Sequence, residues 1–201
     1  MIRVLLVDDE NLIRGALAQM LDLEDDLEVV AQAASVTDGL SQALDVRPDV
    51  AVLDLQLPDG DGISLAERLG RELPSCQCLI VTSHGRPGYL KRALAVGVKG
   101  FLPKTTSAAT LSEVVRKVHA GGRHVDPDLA AEAIAAGDSP LTPREADALE
   151  AAADGAPVEE IAARVHLSAG TVRNYLSSAA AKLGAANRHE AVATARRMGW
   201  I

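Results

Sequence analysis

The chain has 201 residues, 20 Lys and Arg against 28 Asp and Glu, two cysteines, and four aromatic residues, Tyr89, Phe101, Tyr175 and Trp200. A hydrophobic share of 48% with 24% charged residues excludes a disordered chain, and the length suits two small domains. The net charge of -8 argues against a polyanion ligand for the chain as a whole, and no run reaches the roughly 18 apolar residues of a membrane helix.

From Met1 to about Ala120, short aliphatic runs alternate with helical stretches. The runs are Ile2 to Val7, Glu28 to Ala33, Val50 to Asp54, Cys78 to Thr82 and Lys99 to Leu102. Apolar residues at helical spacing, such as Leu12, Ala16, Leu17 and Met20, lie between them. Five strands alternating with five helices predict an α/β fold, a doubly wound five-stranded parallel sheet of flavodoxin-like type. No hairpin is expected, because Asp59-Gly60-Asp61-Gly62 follows a strand but precedes a helix. The first apolar run is broken by Arg3 and followed by Asp8, Asp9 and Glu10, the wrong order for a secretory signal; a cytoplasmic protein without membrane insertion is expected. Cys76 and Cys78 cannot complete a structural zinc site alone and are read as buried, reduced thiols.

In an open parallel sheet, reactive groups gather beyond the carboxyl ends of the strands. The first strand ends in Asp8 and Asp9, the third in Asp54, the fourth in Thr82 and Ser83, and Lys104 lies just past the fifth. One aspartate alone could simply cap a helix, but matching strand ends in a single sheet favour a site. Clustered carboxylates repel without a cation, and oxygen ligands suit Mg²⁺. Asp54 is then placed to attack a phosphoryl donor, with the Lys104 ammonium neutralising the product and the Thr82 hydroxyl donating to it. Asp59, Asp61 and Glu67 form no calcium loop, since Ile63 stands where an oxygen ligand is needed; they read as a turn and helix cap. His84 reads as a solvated loop residue.

Residues 121–140 read as a linker with one alanine-rich helix, Asp126 to Ala136, stopped by Gly137. Beyond it strand-like runs cease, and residues 141–201 predict a small all-α domain of four helices. Thr142-Pro143-Arg144-Glu145 carries a capping box with proline at the first helical position. A second helix from Pro157 to Val165, a turn through His166-Leu167-Ser168 and a third helix have helix-turn-helix spacing. Asn187, with Glu190 three residues on, opens a fourth. On the third helix Val172, Leu176, Ala179 and Leu183 share one side, while Asn174, Ser177, Ser178 and Ala181 oppose them, flanked by Arg173, Tyr175 and Lys182. Small polar residues with flanking cations suit a major groove. Residues 139–160 hold one basic against six acidic residues, and residues 161–201 hold six basic against Glu190 alone. This polarity implies an electrostatic footprint for DNA within an acidic chain.

Residues 1 to about 119 resemble the receiver domain of bacterial two-component response regulators, through Asp8-Asp9, Asp54 in VLDLQLPDGDG, Thr82-Ser83, and Lys104 in KGFLPK. The resemblance implies Mg²⁺ held by Asp8 or Asp9, Asp54 and the backbone carbonyl of Gln56. It also implies a switch pair, Thr82 and Phe101, and phosphorylation of Asp54 by a sensor histidine kinase. Thr105 follows Lys104 where many receivers have proline, so the cis peptide common there is not expected. Residues 141–201 resemble the LuxR-type output domain of NarL/FixJ-like regulators, through LTPREADALEAAADG and the run from IAARVHLSAGTVRNYL to HEAVATA. By analogy Thr171, Arg173, Asn174 and Ser177 face double-stranded promoter DNA, with Lys182 and Arg188 near phosphates. The fourth helix pairs two output domains in a homodimer formed on phosphorylation. The division implied is 1–120 receiver, 121–140 linker and 141–201 DNA-binding domain. The function implied is a transcription regulator that slowly hydrolyses its own aspartyl phosphate and is not a turnover enzyme. An aspartyl-phosphate phosphatase and a regulator controlled by partner contact alone are the competing functions.

Overall fold

A computed structural model describes residues 1–83, 87–135, 139–165 and 167–201, giving backbone alone for Pro87, Ala135 and Pro143. His84, the helix stop at Gly137 and His166 of the predicted turn lie outside the described residues. In chain order the elements are β1 (Ile2–Val7), α1 (Asn11–Asp22), β2 (Leu27–Ala33), α2 (Val36–Val46), β3 (Val50–Leu53), β4 (Gln56–Leu57), β5 (Gly60–Asp61) and α3 (Gly62–Glu72). Then follow β6 (Gln77–Thr82), α4 (Pro87–Ala95), β7 (Gly100–Pro103), α5 (Ala108–His119), β8 (His124–Val125) and α6 (Pro127–Ala135). The last four are α7 (Pro143–Ala151), α8 (Val158–Arg164), α9 (Ala169–Lys182) and α10 (Arg188–Arg197). They form two compact units, one holding the sheet and reaching to Ala130, the other holding Ala131–Ile201.

The main sheet has the order β2-β1-β3-β6-β7-β8 and every pairing in it is parallel. Strand alternation sends Val4, Leu6, Val50, Val52, Leu79, Val81 and Leu102 to one face, where Ala18 and Leu21 of α1 and Leu111, Val114, Val115 and Val118 of α5 close over them. The other parity, with Leu5, Val7, Ala51, Leu53 and Ile80, is buried as well, and α2 and α3 meet over Val7, where Gly39 leaves room for Leu65. Both faces are therefore covered, the condition under which a parallel sheet reads as continuous aliphatic runs.

Two features depart from the sequence reading. The sheet has six strands, not five: His124–Val125, inside the expected linker, pairs parallel with Gly100–Phe101. The His124 amide donates to the Lys99 carbonyl at 2.9 Å and the Asp126 amide to the Phe101 carbonyl at 3.1 Å. Two residues offer no alternation to read, and this strand exists because β7 would otherwise leave its edge unpaired. A hairpin is also present: Gln56 pairs with Asp61 and Leu57 with Gly60, antiparallel, around Pro58-Asp59. Those aspartates are caps. Asp61 accepts from the Ser64 amide at 2.7 Å on its own helix, and Asp59 reaches across to the Val36 and Thr37 amides at 2.7 and 2.9 Å, capping α2. No cis peptide occurs among the described residues.

In the second unit α7 to α10 enclose Ala148, Leu149, Ile161, Val172, Leu176, Ala179, Ala191, Val192 and Ala195. Alanine at four of these positions lets the helices approach closely, so a small core is built with few large side chains. The helix starts match their caps. The Thr142 amide donates to Glu145 Oε2 at 2.7 Å while the Glu145 amide donates to Thr142 Oγ1 at 3.3 Å. Ser168 accepts from the Thr171 amide at 3.1 Å and Asn187 from the Glu190 amide at 3.0 Å.

Candidate functional site

Parallel ladders continue one step past the strand ends and aim three side chains at a common point. The Asp8 amide donates to the Ala33 carbonyl at 3.1 Å, the Asp54 amide to Val7 at 2.7 Å, and the Lys104 amide to Thr82 at 2.9 Å. With the backbones fixed, Lys104 Nζ lies 2.7 Å from Asp8 Oδ2, 2.8 Å from Glu10 Oε1 and 2.9 Å from Asp54 Oδ2. Asp8, Asp54 and Thr82 are buried, with exposures of 4%, 6% and 1%. Buried polar groups in a sheet core are unusual, and here Asp8 and Asp54 converge on Lys104.

The electrostatics follow from this crowding. Burial pushes the Asp54 carboxyl above its ordinary value, opposed by the hydrogen bond and charge of Lys104, while Asp8 adds to the rise. For Lys104, burial alone would lower the ammonium, but hydrogen bonds to Asp8, Glu10 and Asp54 together outweigh it and hold the group cationic. Carboxylate oxygens of Asp8, Glu10 and Asp54 lie within 4.8 Å of one another, a hard oxygen donor set of the kind that suits Mg²⁺.

Asp9 is exposed and stands outside this cluster, whereas Glu10, which sequence reasoning passed over, belongs to it. The Glu10 amide donates to Asp8 Oδ1 at 2.8 Å, a turn that swings the glutamate back over the strand end; an acid two residues past Asp8, just before a helix, was the available signal. Arg14 bonds the Asp8 carbonyl from α1 and holds the same turn. Gln56 is exposed at the start of β4. Phe101 is fully buried in β7, so its ring is turned inward. Gly62 permits the geometry around Asp54: its amide donates to the Leu55 carbonyl at 2.9 Å, and a Cβ at this position would fall 2.1 Å from the Asp54 carbonyl oxygen.

On α9 of the second unit, Arg173, Asn174 and Ser177 are exposed and Thr171 is half-buried. Ser178 differs from expectation. It turns inward and its hydroxyl donates to Glu145 Oε1 at 2.6 Å. The cations are also engaged within the unit: Lys182 lies 2.6 Å from Glu145, Arg173 lies 2.9 Å from Glu159, and Arg188 donates to the Ala156 and Gly155 carbonyls at 3.0 and 3.2 Å. The acidic and basic halves read along the sequence therefore fold onto each other as ion pairs between helices, and the expected separate basic footprint is reduced.

Residues 4–116 match the family described as response regulator receiver domain, and residues 139–195 match bacterial regulatory proteins, luxR family. The chain is 38% identical over 201 residues to the transcriptional regulatory protein DesR of Bacillus subtilis, covering both chains fully. It is 36% identical to the transcriptional regulatory protein UhpA of Escherichia coli, again over the whole of both. Among solved structures it resembles the response regulator ChrA of a heme-sensing two-component system, at 30% identity and TM-score 0.59 over 100% of this chain and 98% of that one. A complex of the response regulator RcsB with DNA shares its fold at TM-score 0.67 and 24% identity, covering 98% of each chain. With both domains matched in order along the whole chain, this protein belongs to the LuxR family of two-component response regulators, a receiver domain followed by a LuxR-type DNA-binding domain.

Proposed function

We propose that Asp54 accepts a phosphoryl group from a sensor histidine kinase in the cytoplasm, and that the phosphorylated chain dimerises and binds promoter DNA. The observation that carries this reading is the Lys104 ammonium held between the buried Asp8 and Asp54 carboxylates at 2.7 and 2.9 Å. In the transfer, an Asp54 oxygen attacks phosphorus, the bond from phosphorus to the donor's imidazole nitrogen breaks, and the imidazole leaves. The new charge lies beside Lys104, and the Thr82 hydroxyl is placed at the adjacent strand end to donate to it. Asp8, Glu10 and Asp54 would hold Mg²⁺, with the Gln56 carbonyl as a further donor and Asp9 outside the set. When bound, the ion supplies neutralisation of the clustered negative charge. Thr82 and the inward-turned Phe101 form the switch pair in this proposal. The aspartyl phosphate hydrolyses slowly, one group per chain, without steady turnover of a substrate.

Asp54→Asn is expected to abolish labelling by a small phosphodonor in Mg²⁺ and to remove phosphodonor-stimulated DNA binding. Equal labelling of the substituted chain would refute the acceptor assignment. In the second unit, Arg173→Ala is expected to weaken DNA binding with labelling unchanged. Because Arg173 is already paired to Glu159, the loss is expected to be modest, about tenfold. Unchanged affinity for every promoter fragment tried would remove α9 from the interface.

A further inference from the structure

At the opposite ends of the strands from the carboxylate cluster, a second group of reactive side chains has no part in the proposed phosphotransfer. Cys76 follows α3 in a bend, Cys78 is the second residue of β6, and the two residues border the same cavity. Both are reduced and buried, at 5% and 6% exposure. They line one cavity of about 310 Å³ together with Lys99, Ala66, Gly70 and Gly97. The backbone is firm there: the Cys76 amide donates to Leu73 at 2.9 Å and the Lys99 amide to the Cys78 carbonyl at 2.9 Å. The walls leave space, since a Cβ at Gly70 or Gly97 would meet nothing within 4 Å. The Cys78 thiol is pushed well up, first by the Cys76 thiol beside it and then by burial.

We infer that Cys76 and Cys78 form a binding site for a soft monovalent cation of the copper(I) class, held by two sulfurs with the Lys99 ammonium beside the complex. Thiolates select soft ions, and two donors satisfy an ion that accepts two ligands but fall short of the four that zinc takes. The charge count points the same way. Two thiols lose two protons to solvent, two sulfur–metal bonds form, no electron is transferred, and the bis-thiolate complex of a monovalent ion carries one negative charge. Lys99 supplies the matching positive charge, whereas a divalent ion would leave a neutral complex beside an unmatched ammonium.

The test titrates the full-length reduced chain, without oxygen, with copper(I) buffered by a chromogenic chelator. The expected result is one ion withdrawn per chain with release of protons, unaffected by an equal concentration of zinc(II). Cys76→Ser and Cys78→Ser should each lower the affinity about a hundredfold, because each breaks the chelate. Lys99→Met should lower it about tenfold, and Asp54→Asn should leave it unchanged. Circular dichroism checks that the variants fold, and X-ray absorption at the copper edge of the wild-type chain gives a reading that needs no variant, with two sulfur neighbours expected. Failure to withdraw copper, displacement by zinc, full retention in either serine variant, or a shell of oxygen and nitrogen would each overturn the site.

Discussion

Each unit contains a lysine set against a buried carboxylate, and the two differ in what they leave over. In the sheet unit one ammonium, Lys104, faces three carboxylates at 2.7, 2.8 and 2.9 Å. In the helical unit one carboxylate, Glu145, takes the Lys182 ammonium at 2.6 Å, the Ser178 hydroxyl at 2.6 Å and the Thr142 amide at 2.7 Å. Burial pushes the Asp54 carboxyl up; Lys182, then Ser178 and the Thr142 amide, pull Glu145 down to about 2. The first cluster carries more negative charge than its ammonium can match, so it favours a cation. The second is saturated and acts as a joint between α7 and α9. Residue types alone do not separate a site from a joint; the count of donors against acceptors does.

The sharpest way to break this comparison is Glu145→Ala, expected to destabilise the helical unit by about 3 kcal/mol. Loss of the helix cap contributes about 1 kcal/mol and the stranded partners about 1–3 kcal/mol. Trp200, the only tryptophan of the chain, packs against the core of this unit, so its fluorescence in a urea titration reads that unit. A loss below about 0.5 kcal/mol, the range of ordinary surface substitutions, would show that Glu145 is no joint. The pH dependence has a fixed sign. A carboxyl whose folded value is about 2 against an ordinary 4.5 binds protons more readily in the unfolded chain. Its stabilisation is therefore complete above 4.5 and fades as the pH falls towards 2. The difference in stability between the wild-type chain and Glu145→Ala should shrink through that window.

An intermediate effect is expected from Mg²⁺. An ion bound only by the folded sheet unit stabilises it by about 2.7 kcal/mol at a hundred times its dissociation constant, while the saturated Glu145 joint offers it nothing. Calorimetry with added Mg²⁺ should move the transition of the sheet unit and leave that reported by Trp200 in place. Equal movement of both would show that the two clusters are not distinct in the way their charge counts imply.

The contrast also explains what could be read from the sequence. The runs ending in Asp8, Asp54 and Thr82 were legible because a parallel sheet covered on both faces needs continuous aliphatic strands, and its switch-point chemistry follows the topology. The helix caps were legible because Ser, Thr, Asp and Asn act within three residues of themselves. The sixth strand was not, since His124–Val125 is held by backbone pairing to β7 and carries no pattern of its own. Glu10 was missed because its place depends on a turn bonded to Asp8, and the inward turn of Ser178 because its acceptor lies 33 positions away on another helix. Charge polarity along residues 139–201 suggested a basic face, but ion pairs such as Glu159 with Arg173 and Asp154 with Arg164 join residues distant in sequence.

The smallest expected effect tests the comparison most directly. Asp54→Asn removes one charge from the crowded cluster but keeps its volume and an acceptor oxygen. Lys104 retains Asp8 and Glu10 as partners, and the cost of burying an ionised Asp54 disappears. A rise in the stability of the sheet unit, smaller than the loss in Glu145→Ala, is expected in the absence of Mg²⁺ because the ionised Asp54 carboxylate is disfavoured by burial, read by calorimetry on the same variant that is expected to lose phosphoryl labelling. The sign is opposite to that for Glu145→Ala, although both substitutions take a buried carboxylate from a lysine. If Asp54→Asn instead loses stability as Glu145→Ala does, Asp54 is a structural partner of Lys104 and the excess of negative charge is not what sets the two clusters apart.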